Sequence, residues 1–295
     1  MKVLVIGSKG FIGSHIIDYF QNGFEVWGCD VFTDYNETKY FLITSPSDFT
    51  SIFHHHQFDV CINASGAANV TDSLKNPARD FELNVHNVFL LLEAIRSTQP
   101  LCKFINLSSA AVYGNPTDFP VKESQILNPL SPYGFHKMQA EYLCNEYYTF
   151  FGIKTISVRI FSAYGPGLKK QILWDLYQKT IGSTTIELFG SGEETRDYIF
   201  IEDIVTALKL LVKTLNPLPE YNLASGEAVS LKELSNLFLN TIGWNGRLKF
   251  TNTKRQGDPD FWQADISKIK SIGFTPTVSM QEGIKKYVQW LSLLE

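Results

Sequence analysis

The first thirty residues constrain this chain more than any other stretch. Val3-Leu4-Val5-Ile6 is a continuous apolar run, the pattern of a strand covered on both faces. It leads directly into Gly7, Gly10 and Gly13, a GxxGxxG spacing, and then into residues 11–20, where Phe11, Ile12, Ile16, Tyr19 and Phe20 recur at helical spacing. In such a strand–turn–helix unit Gly7 permits the tight turn and Gly10 lets the backbone approach a pyrophosphate. Gly13 lets the helix lie close on the strand, and the helix N-terminus, opening at Phe11 and Ile12, offers amide donors and a positive dipole. Three glycines alone equally mark a structural turn; what adds weight is the acid that follows. The next strand, residues 24–29, runs into Asp30, where a carboxylate accepts hydrogen bonds from ribose hydroxyls and repels a 2′-phosphate. The expected ligand is therefore NAD rather than NADP.

The same rhythm continues. DVCIN (59–63), CKFINL (102–107) and TISVRI (155–160) repeat the strand signal, with helical stretches at 78–97 and 133–151 between them. Strand–helix alternation of this kind predicts an α/β fold, a doubly wound parallel sheet of the Rossmann type. After about Gly165 the strands shorten between helical segments at 169–181, 204–214, 231–241 and 280–294. A chain of 295 residues has room for about two domains. We expect a dinucleotide-binding domain over 1–165, with segments near 197–225 returning to it, and a smaller α/β substrate-binding part within 166–295. Residues 115–132 carry four prolines and read as an irregular loop.

Composition narrows the partners. Twenty-six Lys and Arg against 30 Asp and Glu give a net charge of −4, with no electrostatic footprint for nucleic acid or an anionic membrane. The four cysteines have neither metal-site nor CxxC spacing and read as small buried hydrophobes. His54-His55-His56 is expected to be a solvated helix end, and no metal is expected. With no apolar leader pattern and no long apolar span, the expectation is a soluble cytoplasmic protein.

Chemistry enters at Tyr133-Gly134-Phe135-His136-Lys137, a YxxxK spacing at the head of a predicted helix that puts Tyr133 and Lys137 on one face. A phenol is a poor base at neutral pH, and a neighbouring ammonium favours its ionised form. Ser108-Ser109 follows the strand CKFINL directly, at the carboxyl end where parallel sheets meet their ligands. His136, inside the spacing, is assigned no chemical role.

Taken with VIGSKGFIGSHI, FELNVHNVFLLLEAI, INLSSAAVYG, LNPLSPYGFHKMQAE, VRIFSAYGPG, FGSGEETRDYIFIEDIVTAL, YNLASGEAVSL and RQGDPDFWQADISK, these motifs resemble the extended short-chain dehydrogenase/reductases of the NAD-dependent epimerase/dehydratase family. The resemblance implies that Tyr133 is the acid/base, that Lys137 holds the nicotinamide ribose and lowers the Tyr133 pKa, and that Ser109 bonds the sugar hydroxyl. It places Asn84 as a support of the active site on the cofactor side. Ser162, Arg196, Arg255 and Trp262 fall at positions that meet the substrate, the arginines being suited to clamp a diphosphate. It also implies a homodimer through the helices at 78–97 and 133–151, with apolar faces at Phe89, Leu90, Leu92, Tyr142, Leu143 and Tyr147.

Departures from the family pattern matter too. Ser162 stands where an asparagine is usual, and Ala110-Ala111 stand where the 4,6-dehydratases carry an Asp-Glu pair, which counts against dehydration. Glu123 matches a family acid that either contacts substrate or orders the loop. The implied activity is an NAD-dependent epimerase acting at C4 of a nucleotide-diphosphate hexose through a transient 4-keto sugar. The alternatives are a net reductase or dehydrogenase of a 4-keto nucleotide sugar and a non-catalytic NAD-binding protein on the same fold.

Overall fold

The computed structural model describes residues 1–45, 48–253, 257 and 259–294. Its first half alternates β1 (Lys2–Ile6), α1 (Phe11–Phe20), β2 (Glu25–Asp30), β3 (Tyr40–Leu42), α2 (Asp48–His55), β4 (Val60–Asn63), α3 (Val70–Lys75), α4 (Pro77–Phe81), α5 (Asn87–Thr98), β5 (Lys103–Ser109), α6 (Pro132–Phe151) and β6 (Thr155–Ile160). The second half carries β7 (Ser162–Tyr164), α7 (Gln171–Thr180), β8 (Thr185–Leu188), β9 (Thr195–Phe200), α8 (Ile201–Lys213), β10 (Glu220–Leu223), β11 (Ala228–Ser230) and α9 (Leu231–Thr241). It closes with β12 (Arg247–Phe250), α10 (Ser267–Lys270) and α11 (Met280–Leu291).

Seven strands form one parallel sheet in the order β10-β6-β5-β4-β1-β2-β3. The apolar residues of β1 divide between its two faces, as a sheet covered on both sides requires. Val3 and Val5 join a core shared with α1 and α8, whereas Leu4 and Ile6 join one shared with α2, α5 and α6. The strand order reverses between β1 and β4, which opens a crevice at their carboxyl ends. Within 197–225, β10 pairs with β6 in the main sheet, while β9 lies between β11 and β7 in a three-stranded sheet. A two-stranded pair, β8 with β12, forms a third sheet.

The helix expected over 78–97 is interrupted. Between α4 and α5, Glu82–His86 form a turn of π-helix, and Asn84 is buried within it. The widened turn is a local insertion that apolar periodicity does not reveal, and such turns recur at functional sites. His54 and His55 end α2, while His56 packs its ring 4.6 Å from Trp27 and 5.0 Å from Phe41. The four cysteines are free and buried. No helix among the described residues is long and apolar enough to cross a membrane.

One buried lysine ties the sheet to its helical cover. Lys103, at the start of β5, donates from Nζ to the carbonyls of Leu211, Val212 and Thr214 at 3.2, 2.9 and 2.6 Å. These carbonyls cluster at the C-terminal end of α8, where a cation also meets the negative end of the helix dipole. Lys103→Met, which keeps the stem and removes the ammonium, is expected to cost about 2 kcal/mol, measured as a lower urea midpoint with an unchanged slope.

Candidate active site

The glycine turn is built by close approach. Gly7 has φ +79°, and a Cβ there would stand 2.7 Å from the backbone of Ser65. A Cβ on Gly13 would sit 2.0 Å from the Gly7 carbonyl oxygen, so α1 starts pressed against the end of β1. Gly10 is the extended residue that opens the helix, with no side-chain cap of its own, and the first helical amides, those of Phe11 and Ile12, have no intrahelical acceptor. Asp30 ends β2 with one carboxylate oxygen accepting from Val31 N at 2.7 Å and the other from Lys9 N at 2.8 Å. That brace fixes the acid against the glycine loop. Lys9 turns its ammonium to Asp34 and over the Tyr40 ring, 5.2 Å from its centre.

Across the crevice, the turn after β4 supplies a polar floor. Asn63 donates to Asn106 Oδ1 at 3.0 Å and accepts from the Ser65 hydroxyl at 2.6 Å. Asn84 donates to the Ala67 carbonyl at 3.2 Å, while its Oδ1 is buried without a hydrogen-bond partner among the described residues, as is Ser8 Oγ. Buried polar atoms left without partners are costly, and their presence here fits a ligand rich in hydroxyls and amides. A cradle closed to any Cβ, a helix start, an anchored acid and these two orphaned atoms together suit a dinucleotide such as NAD.

Tyr133 lies in the first turn of α6. Ser131 caps the helix by accepting from Gly134 N at 3.2 Å, and the Ser73 hydroxyl of α3 accepts from Tyr133 N, also at 3.2 Å. Ser109, the last residue of β5, is brought to Tyr133: a hydrogen bond between the two side chains works to lower the phenol pKa. Burial works harder in the other direction and pushes the phenol up to about 12. Lys137, one turn on, is also buried, and its Nζ donates to the Leu107 carbonyl of β5 at 2.9 Å. Burial lowers its pKa to about 8, against the nearby charges of Asp80 and Glu141, which work to raise it. In the protein alone, then, the hydroxyl of Ser109 rather than the ammonium of Lys137 is what opposes the effect of burial on Tyr133.

Of the remaining expected residues, Arg196 and Trp262 are brought together. Arg196 in β9 holds its guanidinium 5.5 Å from the centre of the Trp262 ring and donates to the carbonyls of Thr195 at 2.8 Å and Asp260 at 3.3 Å. Trp262 is buried edge-on to Phe161 at 5.8 Å and donates from Nε1 to the Gly114 carbonyl at 3.1 Å. Ser162 opens β7, opposite Tyr198 of β9. Arg255 lies outside the described residues. Glu123 orders the proline-rich loop: its carboxylate accepts from Asn222 N at 2.9 Å, and its carbonyl accepts from Arg159 at 2.9 Å.

Sequence reasoning missed the polar scaffold beneath these groups. Arg159, buried in β6, clasps Glu141 of α6 through bonds of 3.0, 3.1 and 2.7 Å and donates to the Tyr113 hydroxyl at 2.8 Å. Ser108 donates to the same carboxylate at 2.5 Å, and Tyr113 donates to Asn222 Oδ1 at 2.7 Å. A legible signal existed, because an arginine inside a strand that reads as buried on both faces demands an acid. Asp197, beside Arg196, is fully buried and accepts from Ser225 N and Oγ, Gly226 N and Ala264 N at 2.7–3.0 Å. His136 donates from Nδ1 to the buried Asp80 of α4 at 2.5 Å.

Such a fold and cleft define a dinucleotide-binding enzyme scaffold with a tyrosine–lysine–serine cluster at the carboxyl ends of the strands. Residues 3–224 match the NAD dependent epimerase/dehydratase family, and the chain belongs to that family. It is 30% identical to a putative UDP-glucose 4-epimerase of Methanocaldococcus jannaschii, over 98% of both chains. Among solved structures it resembles the UDP-glucuronic acid 4-epimerase of Bacillus cereus in complex with UDP-glucuronic acid and NAD (TM-score 0.91, 26% identity, all of both chains). The UDP-glucose 4-epimerase of Thermotoga maritima with UDP-glucose is similarly close (TM-score 0.89, 28% identity, all of both chains).

Two substitutions test this architecture. Gly13→Ala forces a methyl into the Gly7 carbonyl, so NAD affinity measured by calorimetry is expected to fall by more than tenfold. Asp197→Ala removes the acceptor of four donors from Ser225, Gly226 and Ala264 and is expected to cost about 3 kcal/mol in denaturant unfolding.

Proposed function

We propose that this protein is an NAD-dependent 4-epimerase of a nucleotide-diphosphate hexose, working through a transient 4-keto sugar. The observation that carries the reading is the meeting of Ser109, Tyr133 and Lys137 at the carboxyl end of β5, on the same side of the sheet as the glycine turn of β1. Gly7, Gly10, Phe11, Ile12, Gly13 and Asp30 hold the adenosine and pyrophosphate end of NAD, and Asn84 and Lys137 support its nicotinamide end. When bound, NAD supplies an acceptor and then a donor of hydride.

Tyr133, as phenolate, takes the proton of the sugar 4-hydroxyl, with Ser109 orienting that hydroxyl and passing its hydrogen bond to the phenol. The proton returns to the same oxygen after the keto sugar has turned its other face, so acid and base are one residue and no net proton is consumed. A pyranose bound by its diphosphate can turn in this way while the leash holds. Arg196 and Arg255 answer that diphosphate, Ser162 lies at its approach, and Trp262 limits the room around the sugar. The absence of acids at Ala110 and Ala111 removes the groups that water elimination would require. The named relatives act on UDP-glucose and UDP-glucuronate, which supports a UDP-hexose as substrate.

A domain of residues 1–165 joined by returning strand β10, with a smaller part from the rest of 166–295, fits this division of labour between cofactor and sugar. We also assign a homodimer to the exposed face of α5 and α6. Leu92 and Tyr147 turn into the chain's own core, but Phe89 and Tyr142 do not, and Tyr148 and Phe150 extend the exposed face.

Tyr133→Phe is expected to lower kcat by about 10²–10⁴ while NAD binds as before; near-normal turnover of UDP-glucose, UDP-glucuronate and their 4-epimers in that variant would sink the assignment. Sedimentation of the wild-type protein is expected to give twice 33.4 kDa, and a monomer at micromolar concentration would refute the paired face.

A further inference from the structure

Asp80 is a buried carboxylate that neither the fold nor the proposed chemistry accounts for. It lies in the single turn of α4, packed on the head of α6, and is 3% exposed. One oxygen meets His136 Nδ1 at 2.5 Å; the other is buried without a hydrogen-bond partner among the described residues. His136 is held from two sides, by Asp80 and by the Phe81 ring at 5.6 Å edge-to-face, and its side chain is 13% exposed. It sits on α6 between Tyr133 and Lys137.

The other charged groups on elements packed against α6 are largely answered. On α3 and α4, Asp72 pairs with Arg79 at 3.4 Å, while Lys75 is exposed. In the π-helical turn Glu82 pairs with His86 at 2.6 Å, and on α5 Glu93 pairs with Arg96 at 2.7 Å. On β6 and α6 itself, Glu141 is clasped by Arg159 at 2.7 Å. Asp80 is answered on one oxygen only. A buried half-paired anion is expensive, and proteins keep one chiefly where its field is used.

We propose that Asp80 is a positioning residue of the active site, a carboxylate anchored by His136 of α6 that holds Lys137 in its charged form. The proposal rests on the reading of Tyr133 and Lys137 as the catalytic pair. Its physical basis is the opposed demand of the two groups. An anion beside Lys137 keeps the ammonium that a phenolate needs as neighbour, yet the same anion disfavours the phenolate. The Asp80 charge acts in both directions at once, raising the proton affinity of Lys137 and of Tyr133. The His136 ring, one residue before Lys137 on α6, anchors the carboxylate at that turn of the helix.

The test follows the titration of Lys137 by NMR in protein labelled with 13Cε-lysine, as purified, with the signal identified by its loss in Lys137→Met. No substrate is needed, so the outcome is separate from the epimerase assignment, which stands or falls on Tyr133→Phe. In Asp80→Asn, close to isosteric, the Lys137 midpoint is expected to fall by about one pH unit relative to the wild-type protein. In His136→Ala, which keeps the carboxylate on α4, it is expected to rise or hold. An unchanged midpoint in Asp80→Asn overturns the proposal, and so does a fall in both variants, the mark of a merely loosened helix. Should Asp80→Asn fail to fold, Asp80→Ser and His136→Ala carry the same comparison.

Discussion

A charge inside a parallel strand must be answered by something, and in this protein the answer organises the active site. Arg159 lies in β6 with both faces of the sheet covered, so its guanidinium cannot reach water. Glu141 meets it from α6, Tyr113 from the turn after β5 and Glu123 from the proline-rich loop. Each partner belongs to a different element, and each element carries or borders a residue of the candidate site. The pair thereby fixes the angle at which α6 presents Tyr133 and Lys137 to Ser109. Such a pair contributes little net stability compared with an apolar replacement, but removing one member leaves an uncompensated buried charge. What it supplies is geometry.

Burial sets the chemistry as firmly as geometry does. Tyr133 and Lys137 are withdrawn from water together, and withdrawal penalises the charged form of each. The consequence is a resting site in which the phenol keeps its proton and the ammonium holds its own only loosely. Ser109 and Asp80 pull these balances in known directions. A site so poised responds strongly to a ligand that brings charge or excludes the last water, because small electrostatic changes act there at low dielectric.

Much of the fold was legible because it is written locally. The apolar run of β1, the glycines after it and the period of residues 11–20 each sit within a few residues of one another, and α1 begins and ends where that period says. α6, expected over 133–151, spans Pro132–Phe151, one residue earlier than expected because Ser131 caps it, and stops at Gly152, whose φ of +69° only glycine adopts freely. What escaped notice depends on partners distant in sequence. The π-helical turn that aims Asn84 inward leaves no trace in an apolar pattern. His136 looks idle until folding brings Asp80 beside it from 56 residues away. The division of β9 and β10 between two sheets follows from packing, not from either segment's composition. Site residues Ser109, Tyr133 and Lys137 were legible through their spacing, whereas the clasp of Glu141 on Arg159 was visible only as an arginine out of place.

Strand β5 is held at both ends. Its first residue, Lys103, grips the end of α8 on one side of the sheet, and its penultimate residue, Ser108, is tied to Glu141 on the other. Between them every residue from Lys103 to Ser108 is buried. A segment so fastened has no local way to open: fraying from either end breaks a charged contact before it frees a backbone amide. Opening β5 therefore means opening the sheet around it, and Ser109 stands at the end of a strand anchored along its whole length.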